Sequence, residues 1–278
     1  MRIEKVINNN VVCSRDADGQ EIVLMGRGIG FKAKEQGLVP EAKVEKIFRI
    51  EDPQTVGRFK ELLADIPLEH VQISNEVISY AKKLLRTKLS QSIYVTLTDH
   101  INFAIERYRR GIPLHNAILW EVKRFYHQEF LIGEYAVSLI NERLGLKFGE
   151  DEAGFIALHF VNAEYDTNLK DAIHITKLIQ KALSIVKEEF QMELDENSLH
   201  YERFVTHIKF LAQRIFRKEL LLDDDREFQK MMLLKYPEES ACGQKIADVI
   251  EELYGTRISS EEIMYLAVHI RRVTLSVH

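Results

Sequence analysis

Four histidines stand in a pattern that this chain uses twice. Thr98-Asp99-His100-Ile101-Asn102-Phe103 returns as Val205-Thr206-His207-Ile208-Lys209-Phe210, and an arginine follows seven residues after each histidine, at Arg107 and Arg214. Asp151-Glu152-Ala153-Gly154-Phe155-Ile156-Ala157-Leu158-His159-Phe160 returns as Glu261-Glu262-Ile263-Met264-Tyr265-Leu266-Ala267-Val268-His269-Ile270. A duplicated module usually keeps only its core apolar positions in register. Two ionisable histidines per copy, also kept in register, point to chemistry shared by both copies. The other six (His70, His115, His127, His174, His200 and His278) have no counterpart in the other copy.

Taken singly, each of the four is unremarkable in helical spacing. His159 lies three and four residues from Ile156 and Phe155, and His269 stands the same way to Leu266 and Tyr265, so each could be a satisfied histidine at the margin of an apolar face. Repetition favours function. A metal needs three or four ligands, yet neither copy shows HExxH or a Cys and His cluster, and Thr206 replaces Asp99 in the second copy. General acid–base catalysis wants a partner nucleophile in a cleft, and no Ser/His/Asp set or Gly-rich phosphate cradle accompanies these helices. The remaining chemistry is phosphorylation of the imidazole, which is neutral and nucleophilic near pH 7 because its ordinary pKa is about 6.5. A phosphoryl group adds roughly two negative charges, which recruit arginines or repel carboxylates. Arg107 and Arg214, two helical turns beyond their histidines, are the candidate phosphate partners; the alternative is that they are solvated helix arginines.

Positioning such groups twice requires two copies of one fold. At a constant offset of 110, Tyr126 meets Tyr236, Ile140 meets Ile250 and Gly145 meets Gly255, so the repeat extends over whole modules. From about residue 57 the apolar period is helical: Tyr94, Leu97, Ile101, Ala104 and Tyr108 mark one face. Ser259-x-x-Glu262 reads as a capping box opening the last long helix. Glu164-Tyr165-Asp166-Thr167-Asn168 reads as the joint between copies, each expected to be an all-helical bundle of about five helices.

The first 50 residues differ. Ile3, Val6-Ile7, Val11-Val12, Ile22 to Met25 and Val44 to Ile50 are short β-branched runs, separated by Asn8-Asn9-Asn10, Asp16 to Gly19 and Gly26 to Gly30. The fold expected is therefore multidomain: a small antiparallel β domain of four strands (1–56, with Glu51-Asp52-Pro53-Gln54 as linker), then two homologous all-α bundles (57–169 and 170–278). So small a sheet is marginal alone, which predicts a symmetric dimer.

Composition narrows the setting. Of 278 residues, 46% are apolar and 29% charged, as in ordinary globular proteins. The apolar runs are too short for a membrane span and no signal-peptide stretch opens the chain, so a cytoplasmic protein is expected. Cys13 and Cys242 show no metal-like spacing, and no cofactor is expected. Net charge is −5, and residues 1–50 carry nine Lys and Arg against seven Asp and Glu. Nonspecific attraction to phosphates would be weak, so any nucleic-acid binding must rest on shape and specific contacts.

With these residues assembled, the chain resembles the BglG/SacY family of transcriptional antiterminators, close to its β-glucoside branch. The resemblance covers essentially the whole chain and rests on Lys5-Val6-Ile7-Asn8-Asn9-Asn10, Met25-Gly26-Arg27-Gly28-Ile29-Gly30-Phe31, Ser92 to His100 and Asp151 to His159. It implies an RNA-binding domain that dimerises on a hairpin in nascent leader mRNA and prevents the overlapping terminator from forming. Two regulation domains would then read the sugar phosphotransferase system. The sugar-specific permease would phosphorylate His100 and His159, which inactivates; the general phosphocarrier would phosphorylate His207 and His269, which activates. The resemblance also assigns RNA contacts to Lys5, Asn8, Asn10, Gly26, Arg27 and Phe31. Their chemistry suits that role, since asparagine amides can pair with base edges and Phe31 can stack on an exposed base. Without the resemblance, a plain hairpin turn and a core aromatic are the simpler readings.

Two other classes stay open on the residues alone. A DNA-binding activator with the same regulatory modules is disfavoured because the short N-terminal strands offer no recognition helix. A metal-dependent phosphohydrolase could be built around Thr98-Asp99-His100. The expectation is a regulator that accepts phosphate, not an enzyme.

Overall fold

The computed structural model describes residues 1–31, 37–39, 41–165, 169–219 and 226–275; part of the expected joint (166–168) and His278 lie outside them. The chain forms two compact units, Met1–Asp166 and Thr167–His278.

The first unit opens with a four-stranded antiparallel meander, β1 (Ile3–Asn8), β2 (Val11–Arg15), β3 (Glu21–Met25) and β4 (Lys46–Phe48), in that spatial order. Alternation along the strands sends side chains to opposite faces. Val11, Cys13, Val23, Met25 and Phe48 fill one face, while Val12, Ile22 and Leu24 join Ile29 and Val39 on the other. The first of these faces is covered by helix α1 (Pro53–Asp65), through Val56, Phe59 and Leu63. Part of the segment expected as linker is thus already helix. Asp52 caps it, accepting from the backbone N–H of Thr55 at 2.8 Å, and Pro53 occupies the first turn, where its missing N–H costs nothing.

Helices α2 (Leu68–Leu85), α3 (Ile93–Arg109), α4 (Leu119–Phe125), α5 (His127–Leu144) and α6 (Glu150–Tyr165) complete this unit. Most of the predicted face of α3 is buried: Leu97, Ile101 and Ala104 lie in a core with Ile132, Ile140, Ile156 and Phe160, Tyr94 packs partly buried against it, and Tyr108 near the helix end is exposed. The antiparallel pair α5 and α6 cross so closely at Gly133 that a Cβ there would lie 2.1 Å from the carbonyl oxygen of Ala153. Gly243, the matching position of the second copy, faces the carbonyl of Ile263 in the same way.

The second unit repeats the bundle with α7 (Leu169–Phe190), α8 (Leu199–Arg217), α9 (Arg226–Lys235), α10 (Pro237–Tyr254) and α11 (Ser260–Leu275). Its described helices number five, as in the first copy. No helix among the described residues is long and apolar enough to cross a membrane.

Candidate functional site

In the first bundle α3 supplies His100 and α6 supplies His159. Packing of the two helices sets the imidazole centroids 4.7 Å apart, with Phe155 beside them at 6.3 Å from His100. His159 is only 8% exposed. Burial first, and the neighbouring His100 second, push its pKa well below the ordinary 6.5, so this imidazole is neutral at pH 7. Glu152, in the first turn of α6, completes the cluster. One of its carboxylate oxygens accepts from Arg107, and the other lies 3.5 Å from His100 Nε2. That oxygen and that nitrogen are both buried, and neither makes a hydrogen bond among the described residues.

The second bundle rebuilds the arrangement with α8 and α11. His207 and His269 stack with centroids 4.6 Å apart and planes 22° from parallel, and Tyr265 takes the place of Phe155 at 6.3 Å. Burial, then His269, then Arg214 depress the pKa of His207 to about 3. His269 is lowered by burial and by Arg272 and Arg203. Glu262 binds Arg214 in a bidentate fork, Nε to Oε1 at 2.8 Å and Nη2 to Oε2 at 2.7 Å. The predicted capping box at this helix start is therefore half made. Ser259 Oγ accepts from the N–H of Glu262 at 3.3 Å, but the Glu262 carboxylate turns to Arg214.

Each pair sets two imidazoles, His159 in the first and both in the second held toward the neutral form by burial, close to an arginine and a carboxylate. Neutral imidazole has a free lone pair for an electrophilic phosphorus, and guanidinium is a natural partner for the resulting oxyanions. Among the described residues no group of three or more His, Cys, Asp and Glu could hold a metal. Arg107 and Arg214 lie inside these clusters, though each is already engaged by a buried glutamate. Glu152 and Glu262 are the members that sequence reasoning missed as partners. The signal was available, because both stand in register within the repeated segment beside Asp151 and Glu261.

The predicted RNA-facing residues other than Lys5 gather at one end of the sheet. The turn between β1 and β2 is braced against the loop after β3: Asn10 Oδ1 accepts from Gly28 N–H at 2.9 Å, Gly26 N–H donates to the Asn10 carbonyl, and Gly30 N–H donates to the Asn9 carbonyl. Gly26 has an internal reason to be glycine, since a Cβ there would lie 1.8 Å from the Lys43 carbonyl oxygen. Asn8 is likewise engaged within the fold, its Nδ2 donating to the Leu63 carbonyl of α1 at 2.7 Å and its Oδ1 accepting from Asn10 N–H. Lys5 and Arg27 are exposed, and Phe31, at 63% exposure, is no core residue. Lys5 stands back from the turn, three residues up β1 from Asn8.

A small β domain carrying an exposed aromatic and basic loop, followed by duplicated bundles each with a partly buried histidine pair, is the architecture of an RNA-binding regulator. Family profiles agree: the CAT RNA binding domain matches residues 1–56 and the PRD domain matches residues 75–163 and 180–273. The chain is 48% identical over 273 residues to transcription antiterminator LicT of Bacillus subtilis, covering 98% of this chain and 99% of that protein. It is 42% identical to the beta-glucoside operon antiterminator of Dickeya chrysanthemi, covering 98% and 96%. The crystal structure of GlcT CAT-PRDI superposes with a TM-score of 0.51 at 37% identity, covering 59% of this chain and 97% of that one. The chain belongs to the BglG/SacY family of transcriptional antiterminators, in its β-glucoside branch. It is an RNA-binding antiterminator under the control of phosphorylation by the sugar phosphotransferase system, and not an enzyme.

Proposed function

We propose that a homodimer of this chain, acting in the cytoplasm, binds a hairpin in a nascent leader transcript and so keeps the overlapping terminator from forming. Lys5, Asn8, Asn10, Gly26, Arg27 and Phe31 provide the RNA surface. Residues 57–169 and 170–278 are the two regulatory modules, with His100, His159, His207 and His269 as the phosphoacceptors. The sugar-specific permease modifies the first pair and inactivates; the general phosphocarrier modifies the second pair and activates. β-Glucoside utilisation genes are the regulated set, a reading supported by the name of the Dickeya relative.

The observation that carries this reading is the twice-built cluster, in which two imidazoles lie under 5 Å apart beside an arginine and burial keeps His159 and His207 uncharged. A phosphoryl group on a neutral imidazole exchanges a buried neutral side chain for a dianion. Charge-assisted hydrogen bonds are worth about 1.5–3 kcal/mol each, so a few of them in a dimer reach the ~5.5 kcal/mol that moves a two-state equilibrium from 1:99 to 99:1. Helix α3 offers a route to the RNA domain. Its first turn packs Tyr94 and Val95 against the core beneath the sheet, and His100 lies less than two turns further on.

The test is phosphotransfer from the general phosphocarrier to the wild type and to single His→Ala variants, read by mass spectrometry beside gel-shift titration of leader RNA. The reading predicts label on His207 and His269 with tighter RNA binding. A protein lacking all four imidazoles that still switches terminator read-through with sugar supply would overturn it.

A further inference from the structure

The two clusters differ in one respect that neither the repeat nor the family profiles describe. In the second, Arg214 occupies both oxygens of Glu262. In the first, Arg107 takes only one oxygen of Glu152, and the other faces His100 Nε2 at 3.5 Å in a buried site. We propose that Glu152 is the residue that opposes phosphate in the first module: its free carboxylate oxygen sits where a phosphoryl group on His100 must be accommodated. This rests on the phosphoacceptor reading and gives it a physical asymmetry. A dianion beside this buried carboxylate, which Arg107 holds by one oxygen only, meets like-charge repulsion from the other that water screens little, whereas both oxygens of the second module's carboxylate are held by a guanidinium. Phosphate on His100 therefore prises α6 from α3, and Glu152 is a positioning residue for the inactivating state.

The experiment uses phosphoramidate on the full-length protein, with site occupancy read by mass spectrometry over time. An imidazole nitrogen forms the new N–P bond as the P–N bond of phosphoramidate breaks. The departing ammonia keeps that electron pair, takes the imidazole N–H proton and leaves as ammonium. The exposed His127 is the internal reference for reagent strength. Relative to it, Glu152→Gln is expected to raise the rate and lifetime of label at His100 at least about tenfold, while label at His207 stays unchanged. Glu152→Asp, which keeps the charge but not the shape, is expected to restore slow labelling; a merely structural role would make Gln the mild variant and Asp the disruptive one. If Glu152→Gln does not fold, the double variant Arg107→Gln with Glu152→Gln removes both charges together and is expected to label His100 faster than wild type. Label on the second pair, with equal rates at His100 in all variants, would overturn the role of Glu152 alone. No label on any of the four histidines would sink the phosphoacceptor reading and this inference with it.

Discussion

Arg214 and Glu262 meet across the contact of α8 with α11 as a two-pronged ion pair, with the glutamate 0% exposed and the arginine 26%. Removing only the arginine strands a carboxylate out of reach of water. Arg214→Ala is therefore expected to destabilise the second unit by about 3–5 kcal/mol, whereas Arg214→Met combined with Glu262→Leu should come within about 2 kcal/mol of wild type. Urea unfolding followed by circular dichroism reads both. A single variant as stable as the wild type would show that the pair contributes nothing to the fold.

The histidine pairs set a pH limit on stability. His159 and His207 have folded pKa values below the ordinary 6.5, His207 at about 3, so the unfolded chain binds protons that the folded one refuses. Their neutral forms leave stability intact above pH 6.5. Stability falls as pH drops through the window from 6.5 toward 3, by up to about 1.4 kcal/mol per unit for each such imidazole. His207→Gln should flatten that slope between pH 6.5 and 5. Equal slopes in the two proteins would place the titration elsewhere.

RNA binding and folding should separate cleanly at the loop after β3. Arg27 and Phe31 are exposed, so Arg27→Ala and Phe31→Ala are expected to leave thermal stability unchanged. Loss of a stacking ring costs about 1–3 kcal/mol of RNA affinity, and loss of a phosphate contact lowers the salt slope by about one. Asn8→Ala behaves differently, because it orphans the Leu63 carbonyl and detaches the turn from α1. It should lower the unfolding midpoint as well as affinity. Full hairpin affinity for Arg27→Ala in a gel-shift titration would remove that residue from the RNA surface.

Tyr94 joins the helix of His100 to the sheet. Its ring lies 5.5 Å from Phe48 of β4 and 6.4 Å from Phe59 of α1, and its hydroxyl accepts from Lys82 at 3.0 Å. Such aromatic pairs add about 0.5–1.5 kcal/mol beyond the area they bury. Tyr94→Ala is expected to shrink the difference in RNA affinity between protein phosphorylated and unphosphorylated at His100, while Tyr94→Phe retains it. An undiminished difference in the alanine variant would rule out this route.

Much of the molecule was legible in one dimension. Strand runs of period two broken by Asn and Gly gave the sheet, and the buried face of α3 was the one its helical period marks, because local periodicity is what burial imposes on a regular element. The histidines and arginines surfaced because a duplicated chain compares itself at a fixed offset, and His100 and Arg107 share one helix. The start of α1 at Pro53 was less visible: Asp-Pro followed by polar residues suits a turn as well as a cap, and only the sheet face lying over Phe59 and Leu63 selects the helix.

By itself, then, the sequence determined the three-part plan, the four imidazoles and their in-register arginines, all of them properties of spacing along the chain. Tertiary structure alone decided where those arginines point, that Asn8 is tied to Leu63, and that one oxygen of Glu152 is left facing His100 while Glu262 is fully matched. Such partnerships join residues some 45 to 55 positions apart. They depend on how two helices, or a strand turn and a helix, are set against each other, and no local pattern specifies that.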